Sequence, residues 1–160
     1  MSDYEVKHII VGKGKGITTY HNKKFTHVAD KISQNYQITK YESKNTVSIN
    51  VYRSAKGSTE EIIDEVKNMQ DPDKANIITG DMNICARKQR HSQLIKSVFD
   101  EEYELMTKTT THVKGGHIDH TYTKHAMAQL DLYTPYYSDH DALCVTVKQV
   151  WVSTEWVNAE

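Results

Sequence analysis

Three clusters in the second half of the chain carry the side chains best suited to chemistry. They are Ile77-Ile78-Thr79-Gly80-Asp81-Met82-Asn83, Gly115-Gly116-His117-Ile118-Asp119-His120 and Tyr137-Ser138-Asp139-His140-Asp141. Each joins a strand-like segment to a polar knot containing a carboxylate. Acids and amides at strand ends can converge on one edge of a sheet, where rigid elements hold them beside a cleft. His140 stands between two acids, which favour its imidazolium form and fix its tautomer, and such a cation suits a phosphate oxygen. Asp81 and Asn83, two residues apart, place a base and an amide donor on the same face of an extended segment. Such a pair can orient a water and hold a phosphoryl oxygen. Asp119 follows a Gly pair that lets the backbone approach closely, and it is the expected partner that orients His140. Taken singly, each cluster also reads as a turn or a cap, because Gly, Asp, Asn and Ser favour both. The chemistry requires all three to meet.

The elements that must bring them together are mostly strands. Segments 7–11, 17–20 and 36–41 are short, rich in Ile, Val, Thr and Tyr, and separated by Gly, Asn, Asp and Lys, a pattern that predicts a meander. Over 46–53 the residues alternate, with Val47, Ile49 and Val51 on a face to be buried and Ser48, Asn50 and Tyr52 on a polar one. Ser58-Thr59-Glu60-Glu61 offers an N-cap followed by acids. Ile62, Ile63, Val66 and Met69 then continue at helical spacing until Asp71-Pro72. Residues 75–79 read as a buried strand, 91–100 as a second helix with Leu94, Ile95 and Val98 inward, and 118–123, 129–133 and 142–151 as further strands. No repeat, low-complexity tract or linker divides the chain, so residues 1–160 are expected to form one domain.

Composition narrows the class. The 160 residues are 38% hydrophobic and 26% charged, ordinary globular usage, and no apolar run is long enough to span a membrane. Cys85 and Cys144 sit among apolar neighbours and are expected to be reduced core thiols in an intracellular protein. The net charge of -1 excludes a broad positive field. Residues 1–58 nonetheless carry ten Lys or Arg against four acids, and 59–74 six acids against two Lys. A basic face and a set of solvated strand-edge lysines are both consistent with that imbalance.

In order and context the three clusters resemble the endonuclease/exonuclease/phosphatase superfamily, the family of deoxyribonuclease-like and apurinic-site endonucleases. The carrying residues are Gly80-Asp81-Met82-Asn83, then Gly116-His117-Ile118-Asp119-His120-Thr121-Tyr122, then Ser138-Asp139-His140. The strand with Asn50-Val51-Tyr52 looks like the one bearing that family's active-site tyrosine, and Gly14-Lys15-Gly16-Ile17 like its preceding hairpin. The resemblance covers nearly the whole chain and about the last two-thirds of a family domain. It implies an α+β, DNase I-like fold, a partial two-sheet β-sandwich flanked by helices that lacks the N-terminal strands. It also implies Mg²⁺- or Mn²⁺-assisted phosphodiester hydrolysis. Asp81 would position or deprotonate the attacking water, Asn83 would hold the scissile phosphate, and His140 would contact a phosphate oxygen with Asp119 orienting its ring. Asp139, with Asp81, would hold the metal, and Tyr52 would form a wall of the site. Charge spread over the phosphoryl oxygens in the transition state is what such groups stabilise.

The family's Asn or Asp on a first strand and its Gln-Glu metal ligand on a second have no counterpart; Asp3 and Glu5 lack that context. Arg53-Ser54-Ala55 replaces the usual Pro or Asn after the tyrosine. A truncated sandwich would expose a sheet edge, to be covered by an N-terminal extension or a second protomer. Thr109-Thr110-Thr111-His112 before the Gly pair is similar to endonuclease-like domains of transposable elements, which makes DNA the expected substrate. Lys13, Lys15, Lys23 and Lys24 are its expected phosphate contacts. Two alternatives are a phosphatase or phosphodiesterase acting on a phosphoinositide or small phosphate ester, and a non-catalytic remnant that binds nucleic acid or protein. Whether this chain turns over by itself is left open by the sequence.

Overall fold

A computed structural model describes residues 3–12, 15–88, 103–124 and 127–148. The elements are β1 (Tyr4–Gly12), β2 (Lys15–Asn22), β3 (Thr26–Ile32), β4 (Tyr36–Glu42), β5 (Thr46–Arg53), α1 (Thr59–Met69), β6 (Ala75–Asp81), β7 (Glu104–Leu105), β8 (Asp119–Lys124), β9 (Met127–Tyr133) and β10 (Ala142–Lys148). Six strands form one sheet in the order β3-β4-β5-β6-β8-β7, while β1-β2 and β9-β10 are separate antiparallel pairs. The sheet is mixed: β5 and β6 are parallel, joined by α1 as the crossover, and the other pairings are antiparallel.

Alternation along β5 sets the layers. Val47, Ile49 and Val51 are buried on the face covered by α1, whose Ile62, Val66 and Met69 join them with Ile38 and Ile78 in one core. Burying side chains of this size contributes roughly 1.5–3 kcal/mol each. The helix begins where Ser58 Oγ accepts the Glu61 N–H at 3.3 Å, with Glu60 and Glu61 in its first turn, and it ends at the extended Gln70.

The opposite face of the sheet is polar, and strand register lines its side chains up in transverse rows. One row runs Gln37, Tyr52, Asp81, Asp119 and the next runs Thr39, Asn50, Thr79, Thr121. The β1-β2 ribbon lies over this face. Asn50 Nδ2 donates to Thr19 Oγ1 at 3.2 Å, the His21 ring stacks on Tyr41, and Lys7 pairs with Asp30 at 2.7 Å.

The structure alters several expectations. Only β3-β4-β5 form the antiparallel meander; β1-β2 stands apart as its own ribbon. The expected two-sheet sandwich with flanking helices is met in part: the six-stranded mixed sheet carries α1 on one face and the β1-β2 ribbon on the other, and β9-β10 forms a further antiparallel pair. Among the described residues α1 is the one helix, and the helix expected over 91–100 lies outside them. The cysteines are not core thiols: Cys85 is half-buried and Cys144 exposed. The cause is alternation, since Leu143 and Val145 turn to the opposite face of β10. Finally, some lysines of the first third are paired: Lys7 and Lys40 meet Asp30 and Glu42 of the same stretch, and Lys31 meets Glu65 of α1. No described helix is long and apolar enough to cross a membrane.

Candidate active site

Asp81 closes β6 immediately after Gly80, whose φ of 136° is left-handed territory. A Cβ there would lie 1.9 Å from the Val51 carbonyl oxygen, so only glycine lets β6 approach β5 this closely before the acid. After Asp81 the chain does not stay extended. Asn83 adopts φ 50°, a conformation that Asn tolerates, and its backbone N–H donates to Asp81 Oδ1 at 2.8 Å. Its side-chain Nδ2 donates to the Arg53 carbonyl at 3.1 Å and lies 3.4 Å from Asp81 Oδ2. The two residues are thus brought together by a turn, in place of the expected alternation along a strand. Arg53 Nη1 holds the Met82 and Asn83 carbonyls at 3.2 and 3.4 Å and secures that turn.

Asp119 opens β8 directly across from Asp81. Thr111 Oγ1 accepts its backbone N–H at 3.1 Å, and the carboxylate straddles His140 Nδ1 at 2.9 and 3.1 Å. His140 is held at its own backbone too, its N–H donating to Ser138 Oγ at 3.0 Å. Carboxylate oxygens of Asp81 and Asp119 and a ring nitrogen of His140 lie within 4.8 Å of one another.

Electrostatics follow from this packing. Burial pushes Asp81 up to about 6; the Asn83 N–H opposes the shift, the nearby Asp119 charge adds to it, and His140 and His112 oppose it. Burial by itself disfavours the His140 imidazolium, but the Asp119 hydrogen bond and the charges of Asp119, Asp81 and Asp139 outweigh it and raise its pKa. Burial, with the Asp81 charge, also raises the Tyr52 hydroxyl, which neighbours Asp81 across the β5-β6 pairing.

The remaining expected residues are placed as follows. Asp139 is exposed and belongs to a second cluster with His112 and His140, so it and Asp81 do not share one ligand group but flank His140. Lys13 lies outside the described residues, and Lys15 begins β2. Lys23 and Lys24 are exposed in the β2-β3 turn. Because Thr19 reaches Asn50 and His21 reaches Tyr41, β2 runs away from the Tyr52–Asp81 end of the sheet. Those two lysines therefore stand at the opposite end from the acids. His117 and His120 serve the scaffold. His120 is wholly buried on the helix side, pushed down to about 4 by that burial, with its Nδ1 against the Tyr122 hydroxyl at 3.0 Å.

Two residues that the sequence marked only as part of the Thr109–His112 run, with no role in the site, complete the arrangement. His112 lies beside Asp139 and His140, and Thr111 supports Asp119. The Gly115-Gly116 turn that folds 111–112 back over 117–119 was the available signal. Oxygen donors of Asp81 and Asp119 beside the His140 ring suit a hard divalent cation that keeps several waters.

No protein-family profile and no curated protein sequence matches the chain. Solved structures do match. The endonuclease domain of TRAS1, a telomere-specific non-LTR retrotransposon, superposes with a TM-score of 0.66 at 12% identity, over 92% of this chain and 80% of that one. Truncated TDP2 from Caenorhabditis elegans gives 0.60 at 14% identity, over 90% and 75%. An endonuclease/exonuclease/phosphatase family protein from Bacteroides thetaiotaomicron gives 0.58 at 12% identity, over 89% and 74%. The chain therefore has the fold of endonuclease/exonuclease/phosphatase proteins.

Proposed function

We propose that the chain hydrolyses phosphodiester bonds in DNA with the help of a divalent cation, Mg²⁺ or Mn²⁺. One observation carries this reading: Asp81, Asp119 and His140, far apart in sequence, meet at the strand ends with the His140 ring anchored through Nδ1. That anchoring leaves Nε2 on the far side of the imidazolium for a phosphate oxygen. Asp81, with a pKa lifted toward neutrality, takes the proton of the attacking water as the oxygen–phosphorus bond forms and the leaving oxygen departs. Asn83 holds the Asp81 carboxylate, and its long 3.4 Å amide contact is the hydrogen that a phosphate oxygen would take over. Tyr52 walls the site beside Asp81. Asp81 and Asp119 would hold a divalent cation, with Asp139 on the outer side of His140 a partner for its water shell, and the cation would supply positive charge to the phosphoryl oxygens and make a bound water more acidic.

Tyr136 and Tyr137, 100% and 79% exposed just before Ser138, favour a nucleic-acid strand over a small phosphate ester. They offer flat faces on which bases can stack instead of closing a small pocket. Supercoiled plasmid incubated with Mg²⁺ should be nicked by the wild type and not in EDTA. His140→Ala should cut the rate about a hundredfold or more. Equal background nicking by wild type and variant would leave a binding module; cleavage of phosphate monoesters without nicking would favour a phosphatase.

A further inference from the structure

The loop between β9 and β10 carries two tyrosines that the hydrolytic steps above do not use. Tyr136 and Tyr137 are the central residues of a turn that the Ser138 N–H closes onto the Pro135 carbonyl at 3.5 Å. Both rings stand open to solvent. They meet edge to face, with centroids 5.2 Å apart at 87°, so the pair supports itself and leaves ring faces uncovered. The loop beneath them is tied down. Thr134 Oγ1 donates to Asp141 Oδ1 at 2.7 Å, and the His140 N–H donates to Ser138 Oγ at 3.0 Å. Asp141 N–H reaches the Thr111 carbonyl at 2.8 Å, and Val113 N–H the Asp139 carbonyl at 3.0 Å. Tyr137 is three residues from His140, so no more than about 11 Å of chain separates them, the height of about three stacked nucleotides. Two flat, rigid side chains thus stand beside the histidine that contacts the phosphate.

We infer that Tyr136 and Tyr137 select DNA with unpaired bases next to the scissile phosphate, taking such a base onto an open ring face. The inference rests on the DNA part of the function above and narrows it. In an intact duplex the neighbours cover both faces of each base, and only base edges and phosphates are presented. A tyrosine ring stacks only where a base is unpaired or turns out at little cost, as in a single strand, a bubble or a mismatch. The distribution of charge favours the same substrate. The chain has a net charge of -1, Lys23 and Lys24 stand at the far end of the sheet, and Arg53 Nη1 is held by the Met82 and Asn83 carbonyls. Duplex affinity comes largely from neutralised phosphates. Stacking must therefore supply a larger share here, and tyrosine supplies it at low entropic cost because few torsions are frozen.

The test uses the full chain and fluorescence anisotropy in EDTA, so that binding is read without cleavage. The probes are two labelled duplexes of equal length, one fully paired and one carrying a central bubble of mismatched thymines. Wild type should bind the bubble about tenfold more tightly, within the range that base–aromatic stacking contributes. The double variant Tyr136→Ala, Tyr137→Ala should lose this preference, and Tyr136→Phe, Tyr137→Phe should keep it, because the ring and not the hydroxyl stacks. Both side chains are exposed, and circular dichroism should show the same fold in all three proteins. With Mg²⁺, wild-type cuts should fall at the bubble. Equal wild-type affinity for the two duplexes, or an undiminished bubble preference in the Ala variant, overturns the selection; Mg²⁺-dependent nicking of relaxed, fully paired plasmid in the same preparation would then leave the hydrolase reading standing. Neither binding nor Mg²⁺-dependent cleavage of either duplex by wild type overturns the DNA reading itself.

Discussion

Asp81→Asn isolates the electrostatics of the site while preserving its shape. Burial pushes the Asp81 carboxyl up to about 6; the Asn83 N–H pulls it down, Asp119 pushes it further up, and His140 and His112 pull it down. In the unfolded chain an Asp titrates near 3.9. The folded value is the higher one, so the native state binds the proton more tightly, and stability falls as pH rises from about 4 through about 6. Above that window the buried charge costs at most about 3 kcal/mol, and solvent reaching the half-buried carboxylate reduces this. Asn is neutral, has the same size, and can still accept the Asn83 N–H. In metal-free buffer Asp81→Asn should therefore be more stable than wild type near neutral pH by about 1–3 kcal/mol, and the gain should vanish below about pH 4. His140 has the opposite sense. Its folded pKa is raised, so its contribution is complete below the unfolded value of about 6.5 and is lost as pH climbs through the folded value. Asp81→Asn removes one of the charges that raise the His140 pKa, so the difference between the two stability curves reports Asp81 together with its coupling to His140. Urea denaturation with EDTA across this range is the assay. A destabilised variant near neutral pH, or a difference that does not change with pH, would refute the reasoning. The same substitution should abolish cleavage, making Asp81 a residue that stabilises less than its neutral analogue and is present for chemistry.

Cleavage itself should show an acid limb below about pH 6, because a bound cation favours the ionised Asp81, and an alkaline limb above about 6.5 as His140 deprotonates, read from initial nicking rates across pH. Gly80→Ala places a methyl group 1.9 Å from the Val51 oxygen. It should destabilise by more than about 4 kcal/mol and leave little folded protein by circular dichroism. Tyr52→Phe removes a hydroxyl at the wall and should raise the cleavage barrier by no more than about 1.5 kcal/mol, well below the effect of His140→Ala. Replacing both Lys23 and Lys24 with Ala should leave nicking rates and their salt dependence unchanged, since those lysines stand away from Asp81; a flattened salt slope would mean that DNA runs the length of the sheet.

Local chemistry made much of the fold readable. The alternation over 46–53 returns as β5 with the expected buried face, and Ser58 caps α1 as its type and position require. The acids of the site stand at strand ends, flagged by Gly and Asn. What the sequence hid is non-local. Lys7, Lys31 and Lys74 look like free positive charge until tertiary packing brings Asp30, Glu65 and Glu42 to them from 23, 34 and 32 residues away. His112 reads as one more residue of a Thr-rich run because its partners, Asp139 and His140, belong to another loop. Cys144 misled because hydrophobic neighbours along a strand do not share its face. The separation of β1-β2 from the main sheet is likewise a tertiary choice, made by the polar face on which Asn50 and Tyr41 receive Thr19 and His21.

That polar face also explains why chemistry and instability share a place. In most sheets covered on one side by a helix, the opposite face can be solvated and its acids left in water. Here strand order places Tyr52, Asp81 and Asp119 side by side, and Gly80 draws β6 against β5 at that level. Two carboxylates then face each other in a half-buried row, an arrangement that raises the pKa of one of them unless a cation intervenes. His140 supplies positive charge from outside the sheet and is gripped by Asp119, while burial lifts the Asp81 pKa to about 6. Because register, glycine and histidine each act on Asp81 separately, moving the histidine away should raise its pKa further. His140→Ala should thus shift the acid limb of the Asp81 stability difference to higher pH; an unchanged limb would mean that burial by itself governs the site.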